Sequence, residues 1–135
     1  RVKKPYYFCC MEIIQTSLAP SPIGPYSQAV RTGNLLFVSG QIAINPSTGA
    51  LLTESITIQA QQVMKNLEAI LNQAGLKFSN VVKTTIFLTS MTDFEAVNKV
   101  YGSYFVDRFP ARETVAVAGL PKGVNVEIAV VAEFP

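Results

Sequence analysis

Two charged residues stand in strand-like runs near the end of the chain. Arg112 follows a proline bend in "FPARETVAVAG", Phe109 to Gly119, and Glu127 is enclosed by valine and isoleucine in "VNVEIAVVAEF". A guanidinium presents a planar fork of donors that fits a carboxylate in a bidentate way better than a lysine ammonium does. A carboxylate drawn away from water can hold and polarise a water molecule or pass a proton. Together they suit an enzyme that anchors a small anion and directs water at it. The same pair also fits a structural ion pair across the last two strands, the commoner arrangement in proteins at large.

What is missing narrows the chemistry. The chain has no histidine, and both cysteines, Cys9 and Cys10, lie in its first ten residues. A Cys/His metal cluster and a Ser-His-Asp or Cys-His nucleophile therefore have no parts in the body of the chain, so no metal is expected. Neither GxGxxG nor GxxxxGK[ST] occurs, which removes the common dinucleotide and nucleotide loops. Arg, Glu, Tyr, Ser, Thr, Asn and backbone groups remain. Taken singly, each has an ordinary structural role: Tyr26 as an interface aromatic, Ser39 bonding a neighbouring strand, Asn98 bridging on a helix, Thr114 as a strand residue. Glu113, on the opposite face of its strand from Thr114, reads as solvent-facing or as an interface partner.

The elements that must position these groups follow from periodicity. "EIIQT" reads as a short strand, and "APSPIGPYSQAV" is an ordered, proline-rich loop that delivers Tyr26 and Ser27 into a second strand. "RTGN" is a turn, and "LLFVSGQIAI" a buried strand with Leu35, Phe37, Ser39 and Gln41 on one face and Leu36, Val38 and Gly40 on the other. From about Ser55 to Ala74 the apolar period becomes that of an amphipathic helix, ended by Gly75. "NVVKTTIFLTS" is a β-branched strand suited to a central position. A second helix begins at "TDFE", where Thr92 and Glu95 have capping-box spacing, and its apolar face runs through Phe94, Val97, Tyr101, Tyr104 and Phe105 beside Asn98. The last two strands read as a hairpin closed by "LPKG". In the first of them Arg112, Thr114, Ala116 and Ala118 share a face. The order β-β-β-α-β-α-β-β predicts an α+β fold, a mixed six-stranded sheet with two helices packed on one face.

Composition bounds the rest. The chain's 135 residues are 49% hydrophobic and only 15% charged, enough for one domain with apolar surface to spare, so oligomerisation is expected. The formal charge is +2, but Arg1, Lys3 and Lys4 supply three of the 11 basic groups, which leaves eight against nine acids in the body. Such a balance disfavours nucleic acid as a partner. Residues 1–10 read as an N-terminal extension whose order the sequence leaves open, a ragged terminus rather than a nucleic-acid arm and not a secretory signal, with Met11 opening the single domain 11–135. Adjacent terminal cysteines and apolar runs too short to span a bilayer suggest a cytoplasmic protein without a membrane segment.

The motifs "IGPYSQAV", "LLFVSGQIAINPSTG", "DFEAVNKVY" and "FPARETVAVAGLPKGVNVEI" follow one another at intervals that resemble the reactive intermediate deaminase family (Rid, or YjgF-like), from about Met11 to Phe134. The resemblance implies a chorismate-mutase-like fold and a homotrimer with active sites between subunits. It also implies cofactor-free hydrolysis of 2-imino or 2-enamino acids, such as 2-iminobutanoate and 2-iminopropanoate, to 2-oxo acids and ammonia. These substrates are reactive products of pyridoxal-phosphate enzymes. By this likeness Arg112 grips the substrate carboxylate and Glu127 orients the water. Tyr26 closes the pocket from a neighbouring subunit, Ser39, Gly40 and Asn98 line it, and Thr114 takes a position often held by cysteine. Two departures fall on the last hairpin: Ala129 where a second acid is frequent, and Gly119 where a larger residue precedes "LP". Some relatives carry the labels endoribonuclease or translation inhibitor. A single-strand ribonuclease and a non-catalytic trimer that binds small carboxylates are therefore the competing readings.

Overall fold

The computed structural model describes residues 11–135, so the expectations for residues 1–10 lie outside the described residues. The strands are β1 (Glu12–Ile14), β2 (Ala29–Thr32), β3 (Leu35–Gln41), β4 (Val81–Leu88), β5 (Ala111–Ala116) and β6 (Val126–Glu133), with helices α1 (Ile56–Gln73) and α2 (Phe94–Gly102). This is the order and type of element that periodicity predicts. One mixed sheet runs β1-β2-β3-β6-β4-β5, antiparallel throughout except for the parallel pair β4/β5.

Alternation decides which side of the sheet is covered. Val126, Ile128, Val130 and Ala132 of β6 are buried and join Val63, Met64, Leu67, Ile70 and Leu71 of α1 in a single core, while the residues between them on β6 face the other way. Each such apolar side chain removed from water contributes about 1.5–3 kcal/mol, which holds both helices to this one face. Ser55 caps α1, its side chain accepting from the Ile58 amide, and Gly75 ends the helix at a φ of 75°.

The expected hairpin between the last two strands does not form. β5 lies at the sheet edge beside β4, and β6 inserts between β3 and β4. A crossover through α2 joins the parallel strands β4 and β5. The segment Val117 to Asn125 is long enough to carry the chain back past β4. Pro121–Gly123 is indeed a tight turn, with Lys122 and Gly123 at φ of 56° and 70°, but it joins strands that are not neighbours.

Two smaller expectations also give way. Met91–Asp93 forms a 3₁₀ turn capped by Ser90, which accepts from the Thr92 amide at 3.2 Å, so the Thr92/Glu95 box is not what starts α2. The tighter turn takes up the free amides before the α-helix begins. In β3 the register to β6 slips between Val38 and Gln41, a bulge that turns Gln41 to the buried side.

Candidate functional site

The candidate residues fall into two groups on opposite faces of the sheet. Arg112 and Thr114 are register partners of Thr84 and Ile86, both fully buried under the helices, so they face the helical side. Glu127 alternates with the buried Val126 and Ile128 and pairs with Phe87, so it faces away. Two strand spacings and a three-residue offset along β4 put the two backbones roughly 14 Å apart. The alternative reading, a structural ion pair between them, is therefore not realised; among the described residues the salt bridge formed is Lys83–Glu113, 2.7 Å, on exposed side chains. Glu113 also accepts from Thr85, and the Lys83 bond holds its carboxyl below the usual range.

The first group is built on α2. Phe94, Asn98 and Tyr101 follow the i, i+4, i+7 spacing of one helical face, and that face meets the Arg112 guanidinium. Arg112 Nη1 donates to Asn98 Oδ1 at 2.8 Å. The guanidinium carbon lies 5.1 Å from the Tyr101 ring centroid and 5.7 Å from that of Phe94, within cation–π range. No carboxylate pairs with Arg112 among the described residues, so its charge is held by an amide oxygen and two aromatic faces. The remaining N–H donors can take an anion. Beside it, Thr114 Oγ1 is buried with no hydrogen-bond partner among the described residues.

The second group lines a cavity of about 340 Å³ beside the β3 bulge, where Tyr26, Ser39, Gly40 and Glu127 meet Gln41 and Pro121. Glu127 is half-buried, and loss of water around it pushes its carboxyl above the ordinary carboxylate range. Gly40 makes room for it: a Cβ there would stand 2.9 Å from Glu127 Cδ and 3.0 Å from Cγ. Ser39 serves structure as well, its hydroxyl donating to the Ser27 carbonyl at 2.6 Å and its amide to Gln28 at 2.9 Å. Tyr26 is half-exposed, and its hydroxyl accepts from the Ile23 amide at 3.2 Å.

The loop that carries Tyr26 is fastened by Gln28, a residue to which no role could be given from its type and position. Its buried amide accepts from the Thr16 amide and donates to the carbonyls of Thr16, Ala19 and Pro20 at 2.8–3.3 Å. The aromatic shelf under Arg112 was also missed, although its helical spacing is legible, because Phe94 and Tyr101 read equally well as core. No helix among the described residues is long and apolar enough to cross a membrane.

Comparison with known proteins bears on this geometry. Residues 16–134 match the family model described as endoribonuclease L-PSP. A human 2-iminobutanoate/2-iminopropanoate deaminase is 48% identical over 120 residues, covering 89% of this chain and 88% of that protein. A member of the Rid protein family from Yersinia pestis has 50% identity and a TM-score of 0.90 over 92% of this chain and 99% of its own. E. coli TdcF, solved with bound serine, has 39% identity and a TM-score of 0.88 over 92% of this chain and 99% of its own.

Proposed function

The chain belongs to the Rid/YjgF family, whose model is described as endoribonuclease L-PSP, and from that premise we propose that it is a cofactor-free hydrolase of small 2-imino acids. It converts 2-iminobutanoate and 2-iminopropanoate to the 2-oxo acids and ammonia. The human relative that carries this activity in its name supports the reading. The observation that carries it is a desolvated carboxylate, Glu127, in a cavity, matched by a guanidinium whose charge no acid of the described residues neutralises. A relative solved with a bound amino acid supports a small carboxylate as ligand.

The chemistry asks for positioning more than for force. The carbon of a protonated imine is already electrophilic, so a held water adds to it and the amine then leaves. Arg112 binds the substrate carboxylate and Thr114 Oγ1 lies beside it. Glu127, whose pKa is raised toward neutral pH, takes the proton from the attacking water and passes it to the nitrogen, then takes the hydroxyl proton as the C=O forms and the C–N bond breaks, and gives it to the departing ammonia. Iminium and water thus become a 2-oxo acid and ammonium. Tyr26, Ser39 and Gly40 shape the wall around Glu127, and Asn98 holds Arg112.

Arg112 and Glu127 face opposite ways in one chain, so one substrate meets both only where two copies join. The cavity of one subunit, with Glu127 and Tyr26, is completed by Arg112, Asn98 and Thr114 of a neighbour in a cytoplasmic homotrimer. The division differs from that expected at the outset, since Glu127, Ser39 and Gly40 come with Tyr26. Phe37 and Val115, 45% and 41% exposed on the sheet face away from the helices, are the kind of surface such an assembly covers.

The test is direct. Threonine dehydratase generates 2-iminobutanoate in situ, and release of 2-oxobutanoate is followed with and without this protein. Acceleration that is lost in Arg112→Lys and in Glu127→Gln is expected. No acceleration by the wild-type chain refutes the proposal, and binding of 2-oxobutanoate without turnover would leave a carboxylate-binding trimer instead.

A further inference from the structure

Tyr101 is buried on the core side of α2, and its ring lies under the Arg112 guanidinium at 5.1 Å. Unlike Phe94, it is pinned at its far end. Its hydroxyl donates to Thr84 Oγ1 at 2.9 Å, and Thr84 is fully buried on β4. Thr84 is also the register partner of Arg112 on β5. The three residues close a triangle: a backbone ladder from Arg112 to Thr84, a side-chain hydrogen bond from Thr84 to Tyr101, and a cation–π contact from Tyr101 back to Arg112. The ring's height above the sheet is therefore set by the same strand pair that sets the base of the arginine.

We propose that Tyr101 is a positioning residue for the substrate carboxylate, fixing the Arg112 guanidinium through its ring and taking its own position from Thr84. The inference rests on Arg112 being the carboxylate anchor. An arginine side chain has several free torsions, and with no carboxylate partner among the described residues the Asn98 oxygen and the aromatic faces restrict them. Asn98 fixes one nitrogen of the fork. The ring fixes its plane, and a fork needs both to receive a carboxylate in a bidentate way. Burial raises the Tyr101 phenol further above its ordinary range, against the lowering influence of the Thr84 bond and the Arg112 charge, so the hydroxyl stays a donor at working pH.

The experiment compares Tyr101→Leu, Tyr101→Phe and Arg112→Lys in the full-length protein. Affinity for 2-oxobutanoate is measured by calorimetry, kcat and KM on the imine generated in situ, and the folded state by thermal unfolding. Tyr101→Leu removes the ring and is expected to weaken 2-oxobutanoate about tenfold, with KM rising alongside and kcat falling less. Tyr101→Phe keeps the ring and loses the pin, so the binding loss is about twofold although Tm falls in both variants. A merely structural role predicts that binding follows Tm, with Phe and Leu alike. Should Tyr101→Leu fail to fold, Tyr101→Met fills the space with a flexible chain and carries the same comparison. Wild-type affinity in a folded Leu or Met variant, while Arg112→Lys has lost binding, overturns the positioning role and leaves the anchor standing. Wild-type affinity in Arg112→Lys overturns the anchor itself.

Discussion

The decisive perturbation mixes two inactive proteins. Arg112→Lys loses the guanidinium fork and Glu127→Gln the carboxylate proposed as base, and each alone is expected to be inactive. Within one chain the two residues are on opposite faces of the sheet, with backbones roughly 14 Å apart, a gap that an arginine and a glutamate turned away from each other do not close over one small substrate. If each site takes its guanidinium from one subunit and its carboxylate from the next, a trimer assembled from equal amounts of both variants regenerates an intact site wherever neighbours fall in the right order. At random that is about one quarter of all sites, so about one quarter of wild-type activity should return. Co-expression with two affinity tags supplies the mixed trimers, and 2-oxobutanoate release is the readout. The complementary dilution sharpens the arithmetic. Wild-type subunits mixed equally with an Arg112→Lys/Glu127→Gln chain should keep about one quarter of activity when sites are shared, and about one half when each lies within one subunit. No recovery in the first mixture together with one half in the second would refute the shared site.

Gly40→Ala should lower kcat/KM about 100-fold with little loss of stability, because a Cβ 2.9 Å from Glu127 Cδ forces the carboxylate aside by about 1 Å. In a Glu127→Gln background the same change should add almost nothing, and full additivity would show that Gly40 acts elsewhere. Activity should fall as pH drops through the Glu127 pKa, which lies above the ordinary carboxylate range. The stability effect has the opposite sense: a raised folded pKa means the folded state holds the proton longer, so stability is lost as pH rises through that value. Glu127→Gln should accordingly raise Tm at neutral pH, and the gain should vanish below the unfolded carboxylate pKa of about 4. Gln28→Ala removes four hydrogen bonds to the Thr16–Pro20 backbone and should cost about 3 kcal/mol in urea unfolding at fixed protein concentration. It should also open the Tyr26 loop to limited proteolysis.

Much of the site was legible as types and faces. Period-two alternation in "ARETVA" puts Arg112 and Thr114 on one side of a strand, and "VEIAVV" isolates Glu127 among residues that pack inward. What could not be read was the relation between the two strands. "LPKG" has the composition of a hairpin turn, and a hairpin would have paired the two strands directly and put Arg112 and Glu127 on one face of the sheet. β6 instead enters between β3 and β4, because the apolar β4 has both edges to fill and the α2 crossover places β5 beside it. The β3 bulge was equally hidden, since the strand pattern of "LLFVSGQ" gives no sign that the register slips after Val38.

Turns, caps and apolar periods are local properties written within a few residues, and the elements, their order, the family and the chemical inventory follow from them directly. Long-range packing settles what local pattern leaves open: Arg112 and Glu127 face opposite sides of one sheet, Gly40 is bare beside the Glu127 carboxylate, and Tyr101 and Asn98 hold the guanidinium. Alternation fixes each strand's faces relative to itself, while the phase between two strands is set by pairing partners distant in the chain.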